Sequence, residues 1–306
     1  MSGAQTVLER HHLKLRRYDY VLGRLFVVLP VGGLVAAVLL WLAGWQVGAF
    51  ELAMCLAMYL FTMMGIEIGF HRCFAHRAFR ASPGLEWVLA VAGSMGGHGP
   101  LIWWVTTHRR HHRFVDTDDD PHTPNKDLGS PWRNFRSFLY GYVGWTLDTD
   151  VKLQEGWQSY GLDLYKRSIL FKVHSRFALV SLLGLALPTV AGALFHRSAE
   201  GALLGLLWGG LVPVCLTQHL FWMINSFGHR VGAKPFHTRM VGDSRNCWWL
   251  ALPTLGQGWH NNHHADPGCA TTRKTWWQVD PGAWLIRAFE RLGWASAVKW
   301  EQREIR

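Results

Sequence analysis

The chain has 306 residues, 49% hydrophobic and only 17% charged, with 18 Trp, 17 His and a formal net charge of +10. The Lys and Arg residues flank long apolar runs and form no single stripe, which argues against a nucleic-acid partner and for a membrane protein with a basic face. Five cysteines, Cys55, Cys73, Cys215, Cys247 and Cys269, form no CxxC pair, which argues against a disulfide framework and against an iron–sulfur site.

The N-terminal stretch MSGAQTVLERHHLKLRRYDY is too polar and too long for a cleaved signal. Residues 25–45 then form an apolar run without a charge, long enough at 1.5 Å per residue to cross roughly 30 Å of hydrocarbon. A second run covers 52–70, a third 177–195 and a fourth 202–224. The shorter stretch 85–95, followed by GGHGP, reads as an interfacial or buried helix, with a re-entrant one as the alternative. The turn around 46–51 has no Lys or Arg and that between spans three and four has only Arg197, whereas the N-terminus, the segment 71–176 and the C-terminus are rich in both. By the positive-inside rule, both termini and the middle segment are cytoplasmic. The expected fold is an all-α integral membrane protein: four transmembrane helices in two hairpins, with a cytosolic helical cap over 71–176 and 225–306, one unit from 1 to 306. Spans two and four, extended to His76 and His229, exceed the membrane thickness and project into the cap.

Histidines concentrate at those ends. HRCFAH carries His71 and His76, HRRHH carries His108, His111 and His112, NSFGH carries Asn225 and His229, and HNNHH carries His260, His263 and His264. On a helix, positions i, i+3 and i+4 share a face, so HRRHH and HNNHH can each aim three imidazoles one way. His71 and His76 lie five apart, about 140° round an α-helix, so they serve two ions or the helix bends there. Nine imidazoles are too many for one ion and fit two. Imidazole binds Zn, Cu, Fe or Ni alike, so the ligand type does not choose the metal. His11, His12, His98, His122, His174, His196, His219 and His237 read as ordinary polar or surface residues.

HRCFAH, HRRHH and HNNHH resemble the three histidine boxes of the membrane-bound fatty acid desaturases, most nearly the delta-9 acyl-CoA desaturases and their bacterial relatives. NSFGH, DTDDDPH (116–122), GDSRNCWWL (242–250) and TWWQVD (275–280) are similar to that group as well. The resemblance runs from about residue 20 to 295. It implies two ferrous ions held by the nine histidines, with Asn225 reaching one through water, and a bent acyl tunnel below them. Trp104 and Trp222 match tryptophans lining that tunnel; interfacial or core packing is their alternative reading. The implied reaction uses O2 to insert a cis delta-9 double bond into a saturated acyl thioester of coenzyme A or acyl carrier protein, with an acyl lipid as the other carrier left open. Removing two hydrogens from adjacent methylenes is beyond any side-chain base and calls for a redox metal. The chain has no GxGxxG and no HPGG-type haem motif, so electrons come from a ferredoxin, a flavoprotein reductase or a cytochrome b5-like carrier. Met63 and Tyr59, eight and twelve residues before His71, match the closed end of the tunnel, where a bulky Met63 would shorten the chains accepted; ordinary helix packing is their alternative reading.

The family usually has Glu where this chain has Gln257. Glu67, an acid inside a span, is expected to be functional and to supply charge behind the ligands that Gln257 lacks; an interfacial Glu is its alternative reading. An acyl-carrier-protein acetylenase or a fatty acyl hydroxylase could use the same di-iron site. A membrane metal transporter or sensor is the remote alternative, but its ligands belong near the bilayer midplane.

Overall fold

The computed structural model describes residues 3–126, 128–148, 156–237 and 242–300, without the side chains of 3–20, 22 and 157. The side chains of Arg10, His11, His12, Lys14, Arg16 and Arg17 therefore lie outside the described residues.

Helix α1 spans Gly3–Leu42. Helix α2, Ala49–Met64, opens where Glu51 Oε2 accepts from the Gly48 N–H at 2.9 Å, and it runs on into a π-helical stretch, Gly65–Ala75. Then come α3 (Pro83–Met95), capped by Ser82, α4 (Leu101–Phe114), α5 (Pro131–Tyr142), capped by Ser130, and α6 (Ser168–Ser175). Helix α7 (Phe177–His196) ends at Arg197 in the left-handed region, φ 52°. Helix α8 (Ala199–Leu204) passes through a second π stretch, Gly205–Leu211, into α9 (Val212–Phe227). After a single turn at Trp248–Ala251 come α10 (His260–Ala265) and α11 (Pro281–Arg291). One short antiparallel pair joins Arg80–Ala81 to Ala295–Ser296.

Four helical stretches are long and apolar enough to cross a membrane: Gly23–Leu42, Ala49–Ala75, Phe177–His196 and Ala199–Phe227. These are the four predicted runs. The second and fourth are 27 and 29 residues long, against 20 for each of the others. Between apolar helices in lipid, small residues permit the closest approach. A Cβ on Gly205 would lie 2.2 Å from the Pro188 carbonyl oxygen, and one on Gly192 would lie 2.2 Å from that of Gly201, so α7 and the fourth span meet backbone to backbone. The first span packs on the fourth through Gly33 against Leu211 and through Ala37, Leu207 and Val212. Hydrogen bonds tie the apolar layers: Thr62 Oγ1 to Thr217 Oγ1 at 2.8 Å, and the Gln218 amide N–H groups to the carbonyls of Phe26 and Gly97 at 2.9 and 2.8 Å.

The expected 85–95 helix is α3, buried along one side with Trp87 54% exposed on the other. It lies against the π stretch, where a Cβ on Gly65 would sit 2.0 Å from the Gly93 nitrogen. This contact sets the depth of the segment that carries His71 and His76.

Candidate metal centre

His71 and His76 come together because the helix between them is not an α-helix. The His76 N–H donates to the His71 carbonyl at 3.0 Å, an i to i+5 bond. The wider π turn brings positions five apart toward one face, which an α-helix cannot do. With His108 and His112 from α4 and His263 from α10, their ring nitrogens form a group all within 4.8 Å of one another. His111, His229, His260 and His264 form a second such group. Each three-histidine box is thus split. The i, i+4 pair of α4 (His108, His112) joins the first group and that of α10 (His260, His264) the second. The remaining residue, i+3, is turned about 60° from its pair's first member and crosses to the other group.

The metal-facing atoms are the Nε2 nitrogens. They meet at 3.1 Å (His71, His263), 2.8 Å (His76, His108) and 3.0 Å (His112, His263) in the first group. In the second they meet at 3.0 Å (His229, His260), 3.2 Å (His111, His264) and 3.1 Å (His260, His264). Imidazole nitrogens bound to one cation at about 2.1 Å, 90° apart, lie about 3.0 Å from each other. The donor set therefore fits one cation per group. Burial, reinforced by neighbouring imidazoles, pushes His76, His108, His112, His260, His263 and His264 well below the ordinary imidazole range. These rings are neutral, the form that binds metal.

Three carboxylates hold rings from behind, and two of them were not singled out by sequence spacing. Asp120 accepts from His111 Nδ1 at 2.9 Å, and Asp116 accepts from His229 Nδ1 at 3.0 Å. Asp116 Oδ2 also takes the Asp243 N–H at 2.7 Å, while Oδ1 takes Thr123 Oγ1 at 2.7 Å and Asn125 Nδ2 at 3.0 Å. Burial alone would raise both carboxyls, but the histidines and these donors hold both below the usual range. Burial likewise opposes the charge on His229, and Asp116 outweighs it and raises that ring's pKa. Fixing a proton on Nδ1 leaves the Nε2 lone pair for the metal. Both aspartates belong to DTDDDPH, but only the folded loop reveals which ring each one faces.

Glu67 Oε2 lies 3.0 Å from His71 Nδ1, an ion-pair distance without hydrogen-bond alignment. Its other oxygen accepts from Arg72 Nε at 2.8 Å. The Arg72 guanidinium also donates to both Asp280 oxygens, at 3.1 and 2.9 Å, and to the carbonyls of Ala270 and Leu255. Arg72 thus shares the Glu67 charge with His71. Gln257 places its amide nitrogen 3.3 Å from His260 Nδ1 and 3.4 Å from His71 Nε2, and its buried Oε1 has no partner. Turning the amide end for end would let that oxygen accept from His260 Nδ1. Glu67 and Gln257 therefore share His71, one from each side, and only Gln257 reaches the second group.

Asn225, Trp104 and Trp222 line one cavity with Thr107, His108, His122, Trp145 and Phe221. It has about 10 Å³ of room for a water centre, the space of one water. Trp104 stacks on His108, 5.1 Å between centroids and 15° between planes. Met63 is fully buried in the core beside Ile66 and Phe70, and the Tyr59 hydroxyl donates to the Pro253 carbonyl. Neither Met63 nor Tyr59 borders the cavity. His122 stacks on His111 at 4.2 Å and, with Asp120, makes a third group of metal-capable atoms. Its pKa is pushed down to about 3 by burial and by His111.

A fatty acid desaturase family profile matches residues 49–295. The chain is 36% identical over 290 residues to a hex-5-enoyl-[acyl-carrier protein] acetylenase of Moorena producens, covering 92% of this chain and 88% of that one. It is 33% identical over 248 residues to delta-9 acyl-lipid desaturase 1 of Arabidopsis thaliana, covering 81% and 75%. It is 32% identical over 237 residues to the sn-1 stearoyl-lipid 9-desaturase of Synechocystis, covering 77% and 67%. Four apolar helices of spanning length, two histidine groups beside the longest pair and these similarities make the chain a member of the fatty acid desaturase family of membrane proteins.

Proposed function

We propose that the chain is an oxygen-dependent fatty acyl desaturase that introduces a cis double bond, at the delta-9 position, into a saturated acyl thioester. The observation that carries this reading is the pair of histidine groups, five and four rings, whose Nε2 atoms stand at the spacing of shared coordination. His71, His76, His108, His112 and His263 would hold one iron, and His111, His229, His260 and His264 the other, with Asn225 reaching one of them through water. When bound, the two irons supply the dioxygen chemistry that strong methylene C–H bonds require. The protein's own part is positional. Asp120 and Asp116 fix ring protons on Nδ1 of His111 and His229, Glu67 places its charge beside His71, and Trp104 and Trp222 wall the space beside His108 and Asn225. The substrate's methylenes must be held against the centre, because orientation decides which bond is oxidised. Electrons come from a ferredoxin, a flavoprotein reductase or a cytochrome b5-like carrier.

The cap and both termini face the cytoplasm in this reading, with the spans in two hairpins. The distribution of Lys and Arg supports that orientation. A second reading, an acetylenase acting on acyl carrier protein, is favoured by the similarity to the Moorena enzyme over nearly the whole chain. Both are tested by supplying defined coenzyme A and acyl-carrier-protein thioesters with a reductant, with and without oxygen. New double bonds formed only with oxygen are expected. Triple bonds would favour the acetylenase, and metal uptake with no lipid change would overturn both.

Met63 sits two turns before His71. If it closes the acyl tunnel, Met63→Ala shifts product toward longer chains across a series of acyl lengths. An unchanged length preference removes Met63 from substrate selection.

A further inference from the structure

From Asn246 to Ala265 the chain carries no Asp, Glu, Lys or Arg. Within this stretch Trp248 is 72% exposed and Leu252 65%, and nearby Trp276 is 89% exposed. The stretches that carry these side chains are joined. The Cys247 N–H bonds the Gly258 carbonyl at 2.7 Å, and the Trp259 ring meets the Trp277 ring edge-on at 5.3 Å. Exposed apolar patches of this kind mark a surface that meets something other than water.

Two contacts fix where that surface lies. The Trp249 ring packs edge-on against Phe227, the last residue of the fourth span, at 5.6 Å. The Pro253 carbonyl accepts from the Tyr59 hydroxyl. Tyr59 is ten residues beyond Ala49, about 15 Å along the second span, half of a roughly 30 Å hydrocarbon core. The segment thus descends beside spans two and four from the cap to membrane depth. Its backbone meets the condition for irregular chain there: Thr254, Leu255, Gly256 and Gln257 all donate their N–H groups within the segment, to Leu250, Leu252, Ala251 and Thr254.

We propose that the segment Trp248–Leu255 presents Trp248, Trp249 and Leu252 to the phospholipid bilayer as a wedge beside the second and fourth spans, with Trp276 and Trp277 at headgroup level. Trp favours that boundary because its ring is apolar and its N–H stays wet. His260, His263 and His264 follow the wedge directly, so lipid would set the depth of the third histidine box. The proposal rests on reading the four long helices as membrane spans.

The test is nitroxide accessibility in the full chain in nanodiscs of phosphatidylcholine and phosphatidylglycerol, with Cys55→Ser to limit background labelling. Labels go on Leu252→Cys, on Leu183→Cys as a lipid-facing control in α7, and on Asp118→Cys as an aqueous control. At Leu252→Cys, accessibility to oxygen relative to a water-soluble nickel chelate is expected to match Leu183→Cys and to exceed Asp118→Cys several-fold. A Leu252→Cys value equal to Asp118→Cys, with Leu183→Cys still in lipid, overturns the wedge alone. A Leu252→Cys label shielded from both relaxants also overturns it, in favour of a protein partner. A water-exposed Leu183→Cys overturns the spanning reading itself.

Discussion

Arg72→Met is expected to destabilise the protein by about 3–5 kcal/mol, the typical result of removing one partner from a buried ion pair. Arg72 is 2% exposed and sits between Glu67 and Asp280, both fully buried. Methionine would fill much of its volume but leave two carboxylates in an apolar interior, facing the carbonyls of Ala270 and Leu255 without a shared donor. Asp280 would keep the N–H groups of Thr272 and Ala283 but lose its cation. Burial alone raises the Asp280 carboxyl, yet Arg72 and these donors hold it below the ordinary range. Its contribution to stability is therefore present above the unfolded carboxylate range and fades as pH falls through the folded value. The network ties four distant stretches together: the π segment, Leu255, residues 270–272 and the start of α11. Replacing all three charges at once, with Glu67→Gln and Asp280→Asn added, should restore part of the loss. Thermal unfolding of the detergent-solubilised protein checks both, and an Arg72→Met variant melting with its parent would show the network to be dispensable.

Asp116→Asn should weaken metal retention roughly 10–100-fold, the usual effect of altering a residue that supports a ligating histidine. Asp116 receives four donors: Thr123 Oγ1, Asn125 Nδ2, the Asp243 N–H and His229 Nδ1. Whichever way an asparagine is turned, its NH2 group confronts two of them. Turned toward Oδ2, it opposes His229 and frees the ring to change tautomer. Turned toward Oδ1, it opposes Thr123 and Asn125 and loosens the loop that presents Asp116. Either arrangement leaves a buried polar atom unpaired. Asp118→Asn, on the exposed part of the same loop, removes the same charge from the chain without touching a histidine. Metal remaining after dialysis against graded chelator separates the two. Equal retention by Asp116→Asn and Asp118→Asn would mean that the His229 contact does not govern the centre.

Much of this architecture is legible in the sequence. Hydropathy marks the four spans because lipid tolerates few exceptions, and a histidine at three- or four-residue intervals advertises a shared helix face. The limits are equally physical. A pattern read at 100° per residue cannot register a π turn, so the His71–His76 interval left two arrangements open. It also suggests that HRRHH and HNNHH each act as one unit, whereas a 60° offset divides each between two groups. Asp116 and Asp120 stand on a loop, where no periodicity says which ring they will meet. His122, read as an ordinary polar residue, stacks on His111 only because the same loop folds back over α4. Met63 and Tyr59 are placed by their distance from His71, yet a distance along a helix does not show whether a cavity reaches them.

The π segments have a further consequence. Among the described residues, the stretches Gly65–Ala75 and Gly205–Leu211 occur in the second and fourth spans, those that lead to the histidines. Each widened turn amounts to one extra residue, which swings everything after it by about 100° relative to what comes before. The outward bearing of each helix in lipid and the inward bearing of its ligands are thus set separately, with the extra residue as the offset between them. In a homologue, a one-residue gap within 65–70 or 205–211 would leave the hydropathy profile untouched and the spacing inside each box intact, yet point the histidines at the wrong neighbours. Gaps within 65–70 and 205–211 therefore report the loss of a working centre that a search for the boxes alone would miss.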